Sequence, residues 1–241
     1  MARQQFPLRL LKAGSVVIGA ILVGSVLIGI TPATVPAAGA QAAGSAAGAG
    51  PSGSPARLRV GSRLLARCAS APAAYCGTLR VPLDWQRQNS PDINVCYRWY
   101  PATAAGKPEG TVFPVEGGPG YPSIGSVAPD GYRAMYGPVL RRFNMLVVDL
   151  RGTGCSTPLD CKPLQDYSKP SGTLQFAAVV GRCADALDHR WRFPGGGYVH
   201  ASDLFTSAAS AQDVAAVIRA LGVPRVELYG DSYGSWFAQV L

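Results

Sequence analysis

Apolar and polar positions alternate along this chain with two different periods, and the switches between them mark out its elements. Gly77–Leu83 and Ile93–Tyr100 (INVCYRWY) are rich in β-branched and aromatic residues. With the polar stretch Gln88-Asn89-Ser90-Pro91-Asp92 between them, they predict two strands joined by a turn. Gly110–Val115 (GTVFPV) predicts a third strand that runs into Glu116-Gly117-Gly118-Pro119-Gly120. Met145–Leu150 (MLVVDL) predicts a fourth, nearly all apolar, as in a buried parallel strand. The period turns helical over Phe176–Trp191 and again over Thr206–Leu221, where Val214, Val217, Ile218 and Leu221 fall at i, i+3, i+4 and i+7. Thr206 or Ser207 can cap that second helix, and Gly222 with Pro224 ends it. Val226–Tyr229 (VELY) reads as a short strand, and Ser232–Leu241 opens another helix. No internal repeat is visible. Strands alternating with helices in this order predict an α/β domain around a mostly parallel sheet.

The N-terminus follows a different logic. Arg3, Arg9 and Lys12 precede the uncharged 18-residue run Ala13–Ile30, which is followed by small residues that include Ala38-Gly39-Ala40. A basic end, an apolar middle and a small-residue site form the order of a secretory signal. As a helix the run would be about 27 Å long, close to a bilayer's hydrocarbon thickness, so an uncleaved anchor is the rival. Cleavage near Ala40 is favoured because an A-x-A site stands at a suitable distance. Residues 1–40 are therefore expected to be a signal peptide or membrane anchor, Gln41–Ala56 (QAAGSAAGAGPSGSPA) a flexible linker, and residues 57–241 the folded part, outside the cytoplasm.

Charge and cysteine content refine this division. The 241 residues carry a formal +8, but the segment from Ala13 to Ala56 has no charged residue at all. The folded part holds 19 basic and 14 acidic residues, with Arg scattered among the acids and no run of four. That is a solvated surface and not a nucleic-acid footprint, so no nucleic-acid partner is expected. The 48% apolar content excludes disorder for most of the folded part. Six cysteines, at 68, 76, 96, 155, 161 and 183, all follow the linker, and an even count in an exported chain predicts disulfides. Cys68 and Cys76 close a short loop and are the first candidate pair. Cys161 and Cys183 are the second, which leaves Cys96 and Cys155. A metal centre is disfavoured, since there is no C-x-x-C and neither His189 nor His200 lies near a cysteine in sequence. No cofactor is expected.

The chemistry is concentrated in Gly230-Asp231-Ser232-Tyr233-Gly234, a G-x-S-x-G pentapeptide. Such a match arises easily by chance in a glycine-rich chain, but its place between a predicted strand and a predicted helix makes it specific. A nucleophile elbow needs a tight turn there, one that forces its central residue into a strained conformation and tolerates only small neighbours. Ser232 would present its hydroxyl above the sheet, and the N–H of Tyr233 would point at the same spot to hold an oxyanion. A second donor is expected from the glycine loop after the third strand, from Gly118 or, failing that, Gly117; Pro119 has no N–H to give. Asp149 and Arg151, in Asp149-Leu-Arg-Gly-Thr-Gly-Cys-Ser156, are expected to brace loops at the sheet edge.

Four blocks, CGTLRVPLDW (76–85), VEGGPG (115–120), VVDLRGTGCS (147–156) with PLDC (158–161), and DVAAVIRALGVPRVELYGDSYGS (213–235), together resemble the α/β-hydrolase family of proline iminopeptidases and secreted tripeptidyl aminopeptidases. The resemblance implies an α/β-hydrolase fold and a serine exopeptidase acting on peptide N-termini. Ser232 matches the nucleophile, and Tyr233 with Gly117-Gly118 matches the oxyanion hole. One departure is Val115-Glu116, where many members have His or Asn-Pro before the glycines. A triad also needs an acid and then a histidine after the serine. Nine residues follow Ser232, and none is His, Asp or Glu. His189 and His200 stand upstream, against that order. The expectation is thus the N-terminal part of an exported aminopeptidase, an incomplete α/β-hydrolase fold that is inactive alone and whose ligand is a peptide or small acyl substrate. The alternatives are a non-catalytic exported or membrane-anchored binding protein, and an esterase or lipase on the same scaffold.

Overall fold

Strands β1 (Arg57–Val60), β2 (Arg63–Arg67), β3 (Tyr75–Pro82), β4 (Asp92–Tyr100), β5 (Gly110–Val115), β6 (Phe143–Val148) and β7 (Glu227–Gly230) form one sheet in the order β1-β2-β3-β4-β6-β5-β7. The computed structural model describes residues 54–124, 134–166 and 173–241. The apolar run Ala13–Ile30, the site at Ala40 and most of the linker lie outside the described residues. Its last residues, Ser54–Ala56, are held by hydrogen bonds to Arg67 and Tyr75.

The sheet is mixed. Pairing is antiparallel from β1 through β4 to β6 and parallel between β6, β5 and β7. The parallel part carries the candidate site. β6 explains its apolar sequence by being covered on both faces: Leu146 and Val148 enter one cluster with Phe113, Val214, Val217 and Phe237, while Met145 and Val147 enter another with Tyr100 and Leu140. Each such side chain, fully buried, stabilises the fold by about 1.5–3 kcal/mol.

Helices α1 (Lys162–Gln165), α2 (Thr173–Asp188), α3 (Ala201–Leu204), α4 (Ser207–Ala220) and α5 (Tyr233–Val240) follow in chain order. Thr206 caps α4 by accepting the Ala209 N–H at 3.1 Å, and the helix stops at Gly222, whose φ of +60° a residue with a side chain adopts only at a cost. Among the described residues, the β1–β2 hairpin, a single 3-10 turn at Val139–Arg141, α1 and α3 have no counterpart in the sequence-based expectation. The hairpin docks on the end of α4, where Ser62 Oγ donates to the Ala220 carbonyl at 2.8 Å.

The segment after β6 is locked by Arg151. Its five N–H groups are all used, on both oxygens of Asp213 in α4 and on the carbonyls of Pro82, Leu83 and Leu204. Trp85 Nε1 also donates to Asp213 at 2.8 Å. This one guanidinium ties the end of β3, the β6 loop, α3 and α4 together. The cysteines stand in three pairs, Cys68 with Cys76, Cys96 with Cys155, and Cys161 with Cys183, with Cα atoms 5.1, 5.8 and 5.7 Å apart.

Candidate active site

Ser232 sits between β7 and α5 with φ 48° and ψ −115°, a left-handed conformation that costs about 1–3 kcal/mol in a residue with a Cβ. The neighbouring glycines make the turn possible. A Cβ on Gly230 would overlap the backbone of Gly234, and one on Gly234 would overlap the carbonyl of Val115 at the end of β5. The elbow is thereby pressed onto the neighbouring strand. Asp231 N–H donates to the Val115 carbonyl at 3.2 Å and continues the β5–β7 pairing into the turn. Gly234 N–H closes the turn on the Asp231 carbonyl at 2.6 Å. Ser232 is exposed, at the sheet edge where the parallel strands end.

The loop after β5 faces it. Gly117 packs against the elbow so tightly that a Cβ there would lie 2.9 Å from the Ser232 Cβ. Gly117 N–H points at Glu116 Oε1, 3.3 Å away. Gly118 has φ +61°, and its carbonyl accepts the Tyr121 N–H in a tight turn. Among the described residues neither the Gly118 N–H nor the Tyr233 N–H has a partner. The Tyr233 N–H opens α5, whose positive dipole end lies at the elbow. The Tyr233 phenol is fixed by Ser207 Oγ, 2.7 Å away at the start of α4.

A cavity of about 230 Å³ opens beside this arrangement, between the glycine loop, the Leu150–Thr153 turn and the Phe205–Ser210 segment, with Tyr233 on its wall. Burial, and then the neighbouring Tyr229, Glu116 and Asp231, raise the pKa of the Tyr136 phenol. Asp149 and Arg151 hold the cavity wall through hydrogen bonds. Burial raises the Asp213 pKa, and its partner Arg151 opposes that rise.

The arrangement sets an exposed hydroxyl on a strained turn, with the glycine loop packed against it at Gly117 and the start of α5 directly after it. Among the described residues no side chain hydrogen-bonds the Ser232 hydroxyl. The histidines are engaged elsewhere: His189 Nδ1 lies 3.3 Å from Asp185 and His200 Nδ1 lies 2.8 Å from Asp188. The Ser207–Tyr233 link went unnoticed in the sequence, where a hydroxyl pair 26 positions apart leaves no periodic trace.

No family model matches the chain. The serine protease Hip1 of Mycobacterium tuberculosis is 28% identical over 180 residues, covering 67% of this chain and 32% of that protein. Carboxylesterase B of Mycobacterium tuberculosis is 30% identical over 128 residues, covering 48% of this chain and 24% of that protein. The solved proline iminopeptidase of Mycobacterium smegmatis is 18% identical with a TM-score of 0.37, over 68% of this chain and 38% of that one. The chain spans about a third or less of the length of the curated relatives it matches. The parallel β6–β5–β7 core, the strand–elbow–helix at Ser232 and the sequence similarity to named hydrolases support a relationship to the α/β-hydrolases.

Proposed function

We propose that this chain supplies the nucleophile and oxyanion hole of an exported serine hydrolase that cleaves at peptide N-termini. The observation that carries the reading is the backbone of Ser232, held at φ 48° between β7 and α5 with Gly117 of the glycine loop packed against it. In this reading Ser232 Oγ bonds the substrate carbonyl carbon, and the carbonyl electron pair moves to oxygen under the Tyr233 and Gly118 N–H groups. Collapse of the tetrahedral adduct breaks the bond to the leaving amine and leaves an acyl-enzyme, which water then hydrolyses. The base that takes the serine proton, and its orienting acid, come from polypeptide beyond these 241 residues. The relatives' greater length supports this. Three cysteine pairs support export, with residues 1–40 as signal or anchor and residues 41–56 as tether.

The relationship to carboxylesterase B favours a second reading, an acyl-ester substrate on the same site. A fluorophosphonate probe on the longer protein that carries the base tests the nucleophile: Ser232 should be labelled and Ser232→Ala should not. Comparing a peptide N-terminal amide with an acyl ester then separates the two substrates. A folded, monomeric protein with that base in place that the probe never labels would make it a non-catalytic binding module.

A further inference from the structure

Asp149 closes β6 and is 1% exposed, deep beneath the glycine loop. Each of its carboxylate oxygens accepts one backbone N–H: Oδ1 that of Ile124 at 2.7 Å, and Oδ2 that of Cys155 at 3.1 Å. Room for the second contact exists because residue 154 is glycine at φ +50°, where any Cβ would overlap Oδ2. The Cys155 side is itself rigid. Cys155 is bonded to Cys96 of β4, Ser156 Oγ donates to the Asp149 carbonyl at 2.7 Å, and Cys96 N–H donates to Ser156 Oγ at 2.8 Å.

Ile124 belongs to the other partner, the loop that begins with Gly117 and Gly118. The start of that loop is fixed by β5 and by Ser123, whose Oγ lies 3.4 Å from the Glu116 N–H. Its far end is fixed by Asp149. The chain between them bends through the Gly118–Tyr121 turn, so movement at Ile124 is passed back to the Gly118 N–H.

We propose that Asp149 is a positioning residue for the oxyanion loop, its carboxylate clamping the Gly117–Ile124 segment to the disulfide-held Cys155 turn and so fixing where the Gly118 N–H points. The clamp is strongest with the ionised acid, because protonation turns one of its two acceptor oxygens into an O–H and weakens its hold on the N–H. Burial raises the pKa of this carboxyl, and the two backbone N–H groups, together with Arg98 facing it from β4, hold it back toward the charged form.

The test compares the longer protein that carries the base with its Asp149→Asn variant, which keeps the shape but turns one acceptor into a donor aimed at an N–H. Fluorophosphonate labelling of Ser232 should slow by about tenfold, and amide exchange at Ile124 and Cys155 should quicken by a similar factor, with the denaturation midpoint measured alongside. Labelling and exchange both unchanged in a folded variant would overturn the proposal. The labelling arm rests on Ser232 as nucleophile, but the exchange arm does not. A wild-type chain that is never labelled therefore sinks the nucleophile reading and leaves exchange to decide this one. Should Asp149→Asn fail to fold, the wild-type exchange decides. Ile124 and Cys155 amides as protected as those of β5 support the clamp, and exchange at open-loop rates refutes it.

Discussion

Gly117 and Ser232 touch through the bare Cα of the glycine, which leaves no space for a methyl group between the oxyanion loop and the elbow. A Cβ at 117 would lie 2.9 Å from the Ser232 Cβ and 3.0 Å from the Asp231 carbonyl oxygen, both on a turn already strained at φ 48°. Gly117→Ala must push the loop or the serine aside. A displacement near 1 Å costs about a hundredfold in a positioned reaction, so fluorophosphonate labelling of Ser232 should fall by about that factor. Stability should drop by about 1–2 kcal/mol, as in ordinary overpacking. A variant labelled at the wild-type rate would mean that the loop and elbow are not in register as described.

Gly234 tests the fold beneath the site. Its Cβ would meet a backbone carbonyl, that of Val115, and a strand end yields less easily than a side-chain tip. Gly234→Ala should therefore destabilise the chain by about 2–3 kcal/mol in urea denaturation, more than Gly117→Ala. A loss under about 0.5 kcal/mol would show that α5 does not press on β5.

These glycines also show what the sequence makes readable. The elbow was legible because its sterics require Gly230 and Gly234 around Ser232 between a strand and a helix, and that demand is written in residue types. The α4 stripe of Val214, Val217 and Leu221 and the apolar β6 were legible for the same reason, since one buried face imposes one period. The β1–β2 hairpin was not. Its short Arg/Leu alternation carries little signal, and what fixes it is a docking contact of Ser62 with Ala220 at the end of α4. The sheet order likewise depends on tertiary contacts: β4 pairs with β6, and β5 falls between β6 and β7. At the site, sequence could not say that Glu116 Oε1 stands 3.3 Å from the Gly117 N–H.

Arg151 and Asp213 form the buried ion pair that joins the cavity wall to α4, with side chains 0% and 1% exposed. Removing one partner of such a pair leaves a charge without compensation. Asp213→Ala should cost about 3–5 kcal/mol in urea denaturation, because the guanidinium loses two of its five acceptors and Trp85 loses its own. Asp213→Asn keeps one acceptor oxygen and should cost less. Equal losses for the two variants would show that volume, and not charge, matters at this position.

His200 and Asp188 offer a pH test at the surface, where their Nδ1–Oδ2 contact of 2.8 Å joins the end of α2 to the start of α3. The hydrogen bond to Asp188 and its charge raise the His200 pKa, and Asp203 adds to this. The same hydrogen bond lowers the pKa of Asp188, and the charges of His200 and His189 add to that. A raised histidine stabilises the fold fully below its unfolded pKa of about 6.5, and that contribution is lost as pH rises through the folded value. A lowered carboxyl contributes above its unfolded pKa of about 3.9 and is lost as pH falls through the folded value. The link between α2 and α3 is therefore strongest from about pH 4 to about pH 6.5 and loosens on either side. Proton NMR titration should find His200 above the ordinary histidine value, and Asp188→Asn should return it toward that value. Because both groups are exposed, raising the salt concentration should shrink the difference. A His200 titration that Asp188→Asn leaves unmoved would show that the pair does not persist in solution.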